Sequence, residues 1–248
     1  MSITIIPVRG LPIIHPGDDL AALIAKAAAF EDRDVLCVAS TVYSKAKGYI
    51  RPLAEVKPGD RARRIALRDR EDPRFVQAVL DETKEVILEH PFILSVMESG
   101  HIGVRAGVDR SNIEGDQVIL LPPDPMAAAK DLHDAIMNRT GKKVGIIITD
   151  TCGLSFRRGQ TGVAIGWYGM PAIRDYRGDK DLFGHVLLIT EEAVVDEIAG
   201  FSNYVMGESN KGVPAVIFRN MDCWSGHDNL FFRPEEDVIV AALKKCRD

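Results

Sequence analysis

Apolar residues along this chain switch repeatedly between a two-residue and a three-to-four-residue period. Short β-branched runs predict strands near residues 3–7, 35–39, 92–97, 102–105, 118–121, 144–149, 163–167 and 215–219. Helical spacing predicts helices over 19–30, 59–70, 73–83, 125–140, 191–206 and 234–245. In the fifth of these, Val194, Ile198, Phe201 and Val205 form one apolar face, while Asp196, Glu197 and Asn203 point elsewhere. Thr190 reads as its N-cap and Gly207 as its stop, which leaves Glu208 in the loop just beyond. Between about residues 86 and 121 strands come one after another without regular helices, which predicts an antiparallel section and an α+β class. No repeat, low-complexity tract or Pro/Ser-rich linker interrupts the pattern. Residues 1–248 are therefore read as one unit, in which any second domain is interleaved rather than tethered.

Composition narrows the function class. The 248 residues are 46% hydrophobic and 27% charged, an ordinary globular balance, and the net charge of -5 supplies no basic excess to replace phosphate counterions, which argues against general nucleic-acid binding. The first twelve residues lack a basic start followed by a long apolar region, and no stretch approaches the roughly 20 apolar residues that cross a bilayer, so a cytoplasmic protein is expected. Cys37, Cys152, Cys223 and Cys246 form no C-x-x-C pair and read as reduced, mostly buried thiols. The six histidines lack metal-ligand spacing.

The chain carries no Walker A loop, no G-x-G-x-x-G, no G-x-S-x-G and no H-E-x-x-H. What it does carry is a set of carboxylates at the ends of apolar runs. Asp109 lies in Gly107-Val108-Asp109-Arg110-Ser111-Asn112, Asp150 in Ile148-Thr149-Asp150-Thr151, and Glu208 in Met206-Gly207-Glu208-Ser209-Asn210-Lys211-Gly212. Hard cations such as Mg²⁺ or Mn²⁺ take oxygen ligands of this kind. Each acid is equally at home as a turn residue, a cap or a solvated loop side chain. Arg157 and Arg158 stand shortly after Asp150 and suit a transferring phosphoryl group, though they would also serve as a solvated pair. Ser40-Thr41, after the run 35–39, and then Ser44-Lys45 fit a phosphate contact or a plain helix cap. Gly10-Leu11-Pro12-Ile13-Ile14 reads as a turn with backbone groups open to a ligand or merely as a Gly/Pro turn.

Together these segments resemble the coenzyme F420-0:L-glutamate ligase family. The resemblance runs through Pro7-Val8-Arg9-Gly10-Leu11-Pro12, Ser40-Thr41-Val42-Tyr43-Ser44-Lys45, Phe75-Val76-Gln77-Ala78-Val79-Leu80, and Ala106 to Asn112. It continues through Leu120-Leu121-Pro122-Pro123-Asp124-Pro125, Ile148 to Thr151, Phe156-Arg157-Arg158-Gly159, Asp196-Glu197-Ile198-Ala199 and Met206-Gly207-Glu208. By that resemblance the divalent-metal ligands are Asp109, Asp150, Thr151 and Glu208. GTP is surrounded by Leu11, Pro12, Ile13, Ile14, Ser40, Thr41, Lys45, Asn112 and the loop of Met206, Gly207, Glu208, Ser209, Asn210, Lys211, Gly212 and Val213. The resemblance further implies a family-specific α+β fold with mixed, largely antiparallel sheets, an intertwined homodimer, two divalent sites and an assisting K⁺. The loop Ser209-Asn210-Lys211 is more polar than the family's small-residue version, and residues 220–232 carry little of the pattern.

The activity this resemblance implies is amide formation between the lactyl carboxylate of F420-0 and L-glutamate, through an acyl phosphate made from GTP, with further γ-linked additions. Arg157 or Arg158 is the expected stabiliser of the acyl phosphate, since phosphoryl transfer asks chiefly for positioning and charge stabilisation. The same acids would also suit a metal-dependent nucleotide phosphohydrolase.

Overall fold

A computed structural model of the chain describes residues 2–233 and 236–245. In chain order its elements are β1 (Thr4–Val8), α1 (Leu20–Ala27), β2 (Val35–Ala39), α2 (Ser40–Lys47), β3 (Ile50–Pro52), α3 (Asp60–Asp69), α4 (Pro73–Asp81), β4 (Glu85–Leu88) and β5 (Leu94–Val96). Next come β6 (Ile102–Val104), β7 (Gln117–Ile119), α5 (Pro125–Thr140), β8 (Gly145–Gly153), β9 (Gln160–Tyr168), β10 (Arg174–Asp175), β11 (Glu191–Glu192), α6 (Val194–Met206), β12 (Ala215–Arg219) and α7 (Val238–Lys245). The α+β class is as expected, and the chain divides into two units that exchange segments.

The first unit comprises Met1–Ile14, Asp19–Ala39 and Asp124–Leu230. Its sheet runs β1-β12-β2-β8-β9, with β2 and β8 parallel and every other pair antiparallel. The central strands are apolar on both faces, as burial on both sides demands: Leu36, Cys37, Ile146, Ile147 and Ile148 have no exposed surface. On one face, α6 sets Val195, Ile198, Ala199 and Met206 against Cys37, Ile147, Trp167, Val216 and Phe218. Helix α5 packs on β8 and β9, with α1 against it. Asp19 and Asp124 cap α1 and α5 by accepting from Ala22 N and Ala127 N, and Pro125 occupies the first turn, where a missing N–H costs nothing. Just before β2 the buried Asp34 carboxylate accepts two bonds from Arg219, at 2.9 and 2.8 Å, so the burial of its charge is compensated.

The second unit comprises His15–Asp18, Ser40–Pro123 and Phe231–Asp248. Here β4-β5-β6 form an antiparallel meander, as expected between residues 86 and 121, and β7 pairs with β3, a strand that the apolar runs do not predict. Ile65, Phe75, Val76, Val79 and Val118 share its main core, and Val240 of α7 covers Ile87 and Val96.

Three expectations are corrected. Residues 40–47 form a helix that succeeds β2 without a break, whereas the apolar spacing predicts no helix over those residues. The 191–206 helix starts only at Val194, because Glu191 and Glu192 pair with Asp175 and Arg174 as β11, so Ala193 rather than Thr190 stands at the N-cap. Finally, β8 continues past Thr149 to Gly153, so Asp150 and Thr151 belong to the strand itself. The beginning of the 234–245 helix, at Pro234, lies outside the described residues, as does Cys246; Cys37 and Cys223 are buried and Cys152 half-buried, all as free thiols.

Candidate metal and nucleotide site

The strand β8 anchors its chemistry by burial. Ile146 to Ile148 are fixed in the core, and the strand then runs outward, so that Asp150 and Thr151 are half-buried and Gly153 is exposed. Just before these residues the β8–β9 ladder slips: Ile148 faces Gly166 but Thr149 faces Ala164, leaving Ile165 as an additional residue. Such a bulge bends a strand and re-aims the side chains beyond it. Beside the bulge, Ala164 N donates to Asp196 Oδ1 at 2.8 Å, and Thr149 Oγ1 donates to the Val163 carbonyl at 3.0 Å. Burial pushes the Asp196 carboxyl above the usual range, and that amide bond works against the rise.

Helix α6 lies close over this hairpin because Gly162 has no side chain. A Cβ there would fall 2.3 Å from the Ala199 carbonyl oxygen and 2.8 Å from Asn203 Cβ. Two turns on from Asp196, Asn203 Nδ2 donates to Thr151 Oγ1 at 3.1 Å and to Glu208 Oε1 at 2.5 Å. Thr151 Oγ1 itself donates to Glu208 Oε1 at 3.1 Å. Gly207, at φ +70°, turns the chain out of α6 and so brings Glu208 back toward the strand. Cys152 beside them has its thiol pushed up, by burial first and then by the negative charges of Asp150 and Asp196.

The remaining expected residues fall into two groups. In the first unit, the glycines at 207 and 212 both take positive φ, and the aliphatic end of Lys211 folds back over Gly207. Ser209, Asn210 and Lys211 are exposed while Val213 is buried. Leu11 is half-buried, Pro12 and Ile13 are exposed and Ile14 is buried. Arg157 and Arg158 sit, exposed, in the loop that joins β8 to β9. In the second unit, Asp109 Oδ1 accepts from Ser111 N at 2.8 Å and its other oxygen accepts from Ser111 Oγ. Lys45 donates its ammonium to the Asn112 carbonyl; burial lowers its pKa, opposed by the charges of Asp109 and Glu114. Ser40 is buried at the head of α2 and Thr41 half-buried beside it. The structure thus brings Thr151 to Glu208, and Lys45 to the 109–112 loop.

Sequence reasoning missed Asn203, Asp196 and Gly162. The available signal was spacing, since Asp196 and Asn203 stand seven residues apart and therefore share a helix face. It also missed a cluster in which Asp175, Glu191 and His227 bring their ligand atoms within 4.8 Å of one another. There Arg177 pairs with both carboxylates, at 2.6 and 3.2 Å, and holds Asp175 down to about 2, so the cluster's negative charge already has a protein partner.

The profile of the F420-0:Gamma-glutamyl ligase family matches residues 10–220. The chain belongs to this family. Among its relatives, the coenzyme F420:L-glutamate ligase of Archaeoglobus fulgidus is 48% identical, covering 99% of this chain and 100% of its own. That of Haloarcula marismortui is 48% identical over 96% of each chain, and that of Methanosarcina mazei 44% identical over 100% of this chain and 99% of its own.

Proposed function

We propose that this chain joins L-glutamate to coenzyme F420-0 with GTP as phosphoryl donor and then extends the product by γ-linked glutamates. The joining of L-glutamate to coenzyme F420 is what the names of its full-length relatives describe, GTP and the γ-linked extension rest on the family resemblance, and the single structural observation that supports the reading is the cluster of Thr151, Glu208 and Asn203 at the outward end of β8.

An all-oxygen set of carboxylates and a hydroxyl fits a hard divalent cation and would be a poor choice for a soft one. Asp150, Thr151 and Glu208, joined by Asp109 on the strength of the family resemblance, are the residues assigned to Mg²⁺ or Mn²⁺, with two divalent ions and an accessory K⁺. When bound, such ions neutralise the polyphosphate and polarise its oxygens. The chain's own groups do the rest. Lys45, Ser40, Thr41 and Asn112, the turn from Leu11 to Ile14, and the loop from Met206 to Val213 hold GTP, with Lys45 as a point charge toward phosphate oxygen. The lactyl carboxylate attacks the γ-phosphorus and GDP leaves; the glutamate amine then displaces inorganic phosphate from the acyl carbon and loses a proton. Arg157 and Arg158 steady the acyl phosphate through their planar forks.

The same reading includes a homodimer. Between β10 and β11, Leu182, Phe183, Leu188 and Ile189 are almost wholly exposed, an apolar arm of the kind that marks a contact with another chain.

Incubation with F420-0, L-glutamate, GTP and Mn²⁺ should add one or more glutamyl masses to F420-0, and Asp150→Ala should abolish the gain. GDP formed at full rate without glutamate and F420-0 would instead make the protein a phosphohydrolase. Arg157→Ala and Arg158→Ala together should slow turnover about 10²–10³-fold.

A further inference from the structure

Asp196, Ala199, Gly200 and Asn203 lie at i, i+3, i+4 and i+7 of α6, on the face turned to the β8–β9 hairpin. Each makes a distinct contact. Asp196 accepts from Ala164 N, the Ala199 carbonyl rests on Gly162, a Cβ on Gly200 would meet Thr161 Oγ1 at 3.1 Å, and Asn203 reaches Thr151 and Glu208. The two hydrogens of the Asn203 amide serve one partner each. That arrangement fixes the hydroxyl of Thr151: it accepts from Asn203 and donates to Glu208 Oε1, which leaves it one further lone pair. Glu208 Oε1 takes bonds from both neighbours, so Oε2 is the oxygen left to face a cation. Two oxygens, one from a strand and one from a loop 57 residues further on, are thereby held as a pair by a neutral side chain.

We infer that Asn203 is a positioning residue for the divalent-metal site, acting through Thr151 and Glu208. This rests on the metal assignment proposed above. A neutral amide suits the task, because it orients two ligands without competing for the metal as a carboxylate would or repelling it as an ammonium would. Groups that orient metal ligands in this way typically govern metal affinity by 10–100-fold.

The test uses the full chain with Asn203→Ala, Asn203→Leu and Glu208→Gln. Mn²⁺ binding is tracked through the electron paramagnetic resonance signal of free Mn²⁺, with a non-hydrolysable GTP analogue present and the analogue alone as blank. Turnover is measured in parallel as a function of Mn²⁺. The expected result is an apparent Mn²⁺ dissociation constant raised about 10–100-fold by both Asn203 variants, with turnover at saturating Mn²⁺ within about threefold of the parent. Asn203 is only half-buried, so the alanine variant should fold; leucine keeps the volume, and a thermal melt checks both. If Glu208→Gln weakens Mn²⁺ binding and neither Asn203 variant does, the positioning role is overturned while the metal site stands. If Glu208→Gln leaves Mn²⁺ binding untouched, it is the metal assignment that falls. A loss of turnover at saturating Mn²⁺ with unchanged binding would also overturn the role, since a purely structural or substrate-contacting residue behaves that way.

Discussion

Asp109 takes its hydrogen bonds from Ser111, two residues along the chain, whereas Glu208 takes its from Thr151 and Asn203, 57 and five residues away. The first is a brace that the loop makes for itself, an aspartate folded onto the next backbone amide but one. The second exists only while α6 lies close on the β8–β9 hairpin, and that closeness depends on a glycine. A local brace survives changes elsewhere in its unit. A tertiary one inherits every disturbance of the packing beneath it.

The largest test of this contrast is Glu208→Gln, for which glutamate-dependent GDP release should fall about 10²–10³-fold, or some 3–4 kcal/mol in the barrier. Parent-like turnover would remove Glu208 from the site altogether. Next comes pH, acting on the unit that holds Asp109. Burial pushes the His101 imidazole there down to about 4 from an ordinary 6.5. As pH falls through 6.5 the unfolded chain takes up a proton that the native state refuses until about 4, so stability is lost across that window. The expected loss is about 2 kcal/mol, read as a falling urea midpoint between pH 7 and pH 4.5, and His101→Leu should flatten it. A variant as pH-sensitive as the parent would assign the loss to other groups. Asp175, held to about 2 by Arg177, acts only below its ordinary 3.8 and so in a separate window.

Gly162→Ala addresses the tertiary brace directly. Its Cβ would lie 2.3 Å from the Ala199 carbonyl, so the helix must shift, at a cost of about 1–3 kcal/mol in the denaturation midpoint. The Mn²⁺ requirement of turnover should rise with it; an unchanged midpoint and requirement would show that the close approach is not needed. The smallest effect belongs to Ser111→Ala. It removes a hydroxyl from Asp109 but keeps the backbone bond at 2.8 Å, and turnover should change less than about threefold. A larger loss would mean that the local brace, too, depends on its side chain.

The same division explains what the sequence made legible. Long helices with apolar faces, α5 and α6 above all, and the β-branched strands of the central sheet were readable from periodicity, because burial is what periodicity records. Strands of two residues, such as β10 and β11, are too short to show a period, and the pairing of β11 is what displaced the start of α6 from Thr190. The helix from Ser40 to Lys47 succeeds β2 with no glycine or proline between them, so no boundary marked it. Of the residues proposed for the site, Asp150 and Glu208 are visible as acids beside apolar runs. Asn203 is not, because a polar residue on a helix reads as solvated until the partner 52 residues earlier is known.

The exchange of segments between the two units also has a consequence for synthesis. The strand β2 pairs with β8 through Val35 and Gly145, about 110 residues apart, and with β12 still further on. At about 5–20 residues per second, a ribosome needs roughly 5–20 s to deliver the first of those partners. Over that interval the whole of Ser40–Pro123 emerges while β1 and β2, two strands of the central sheet, have neither neighbour. The nascent chain must therefore shelter Val35 to Val38, all wholly buried in the finished protein, before the frame that buries them has been made.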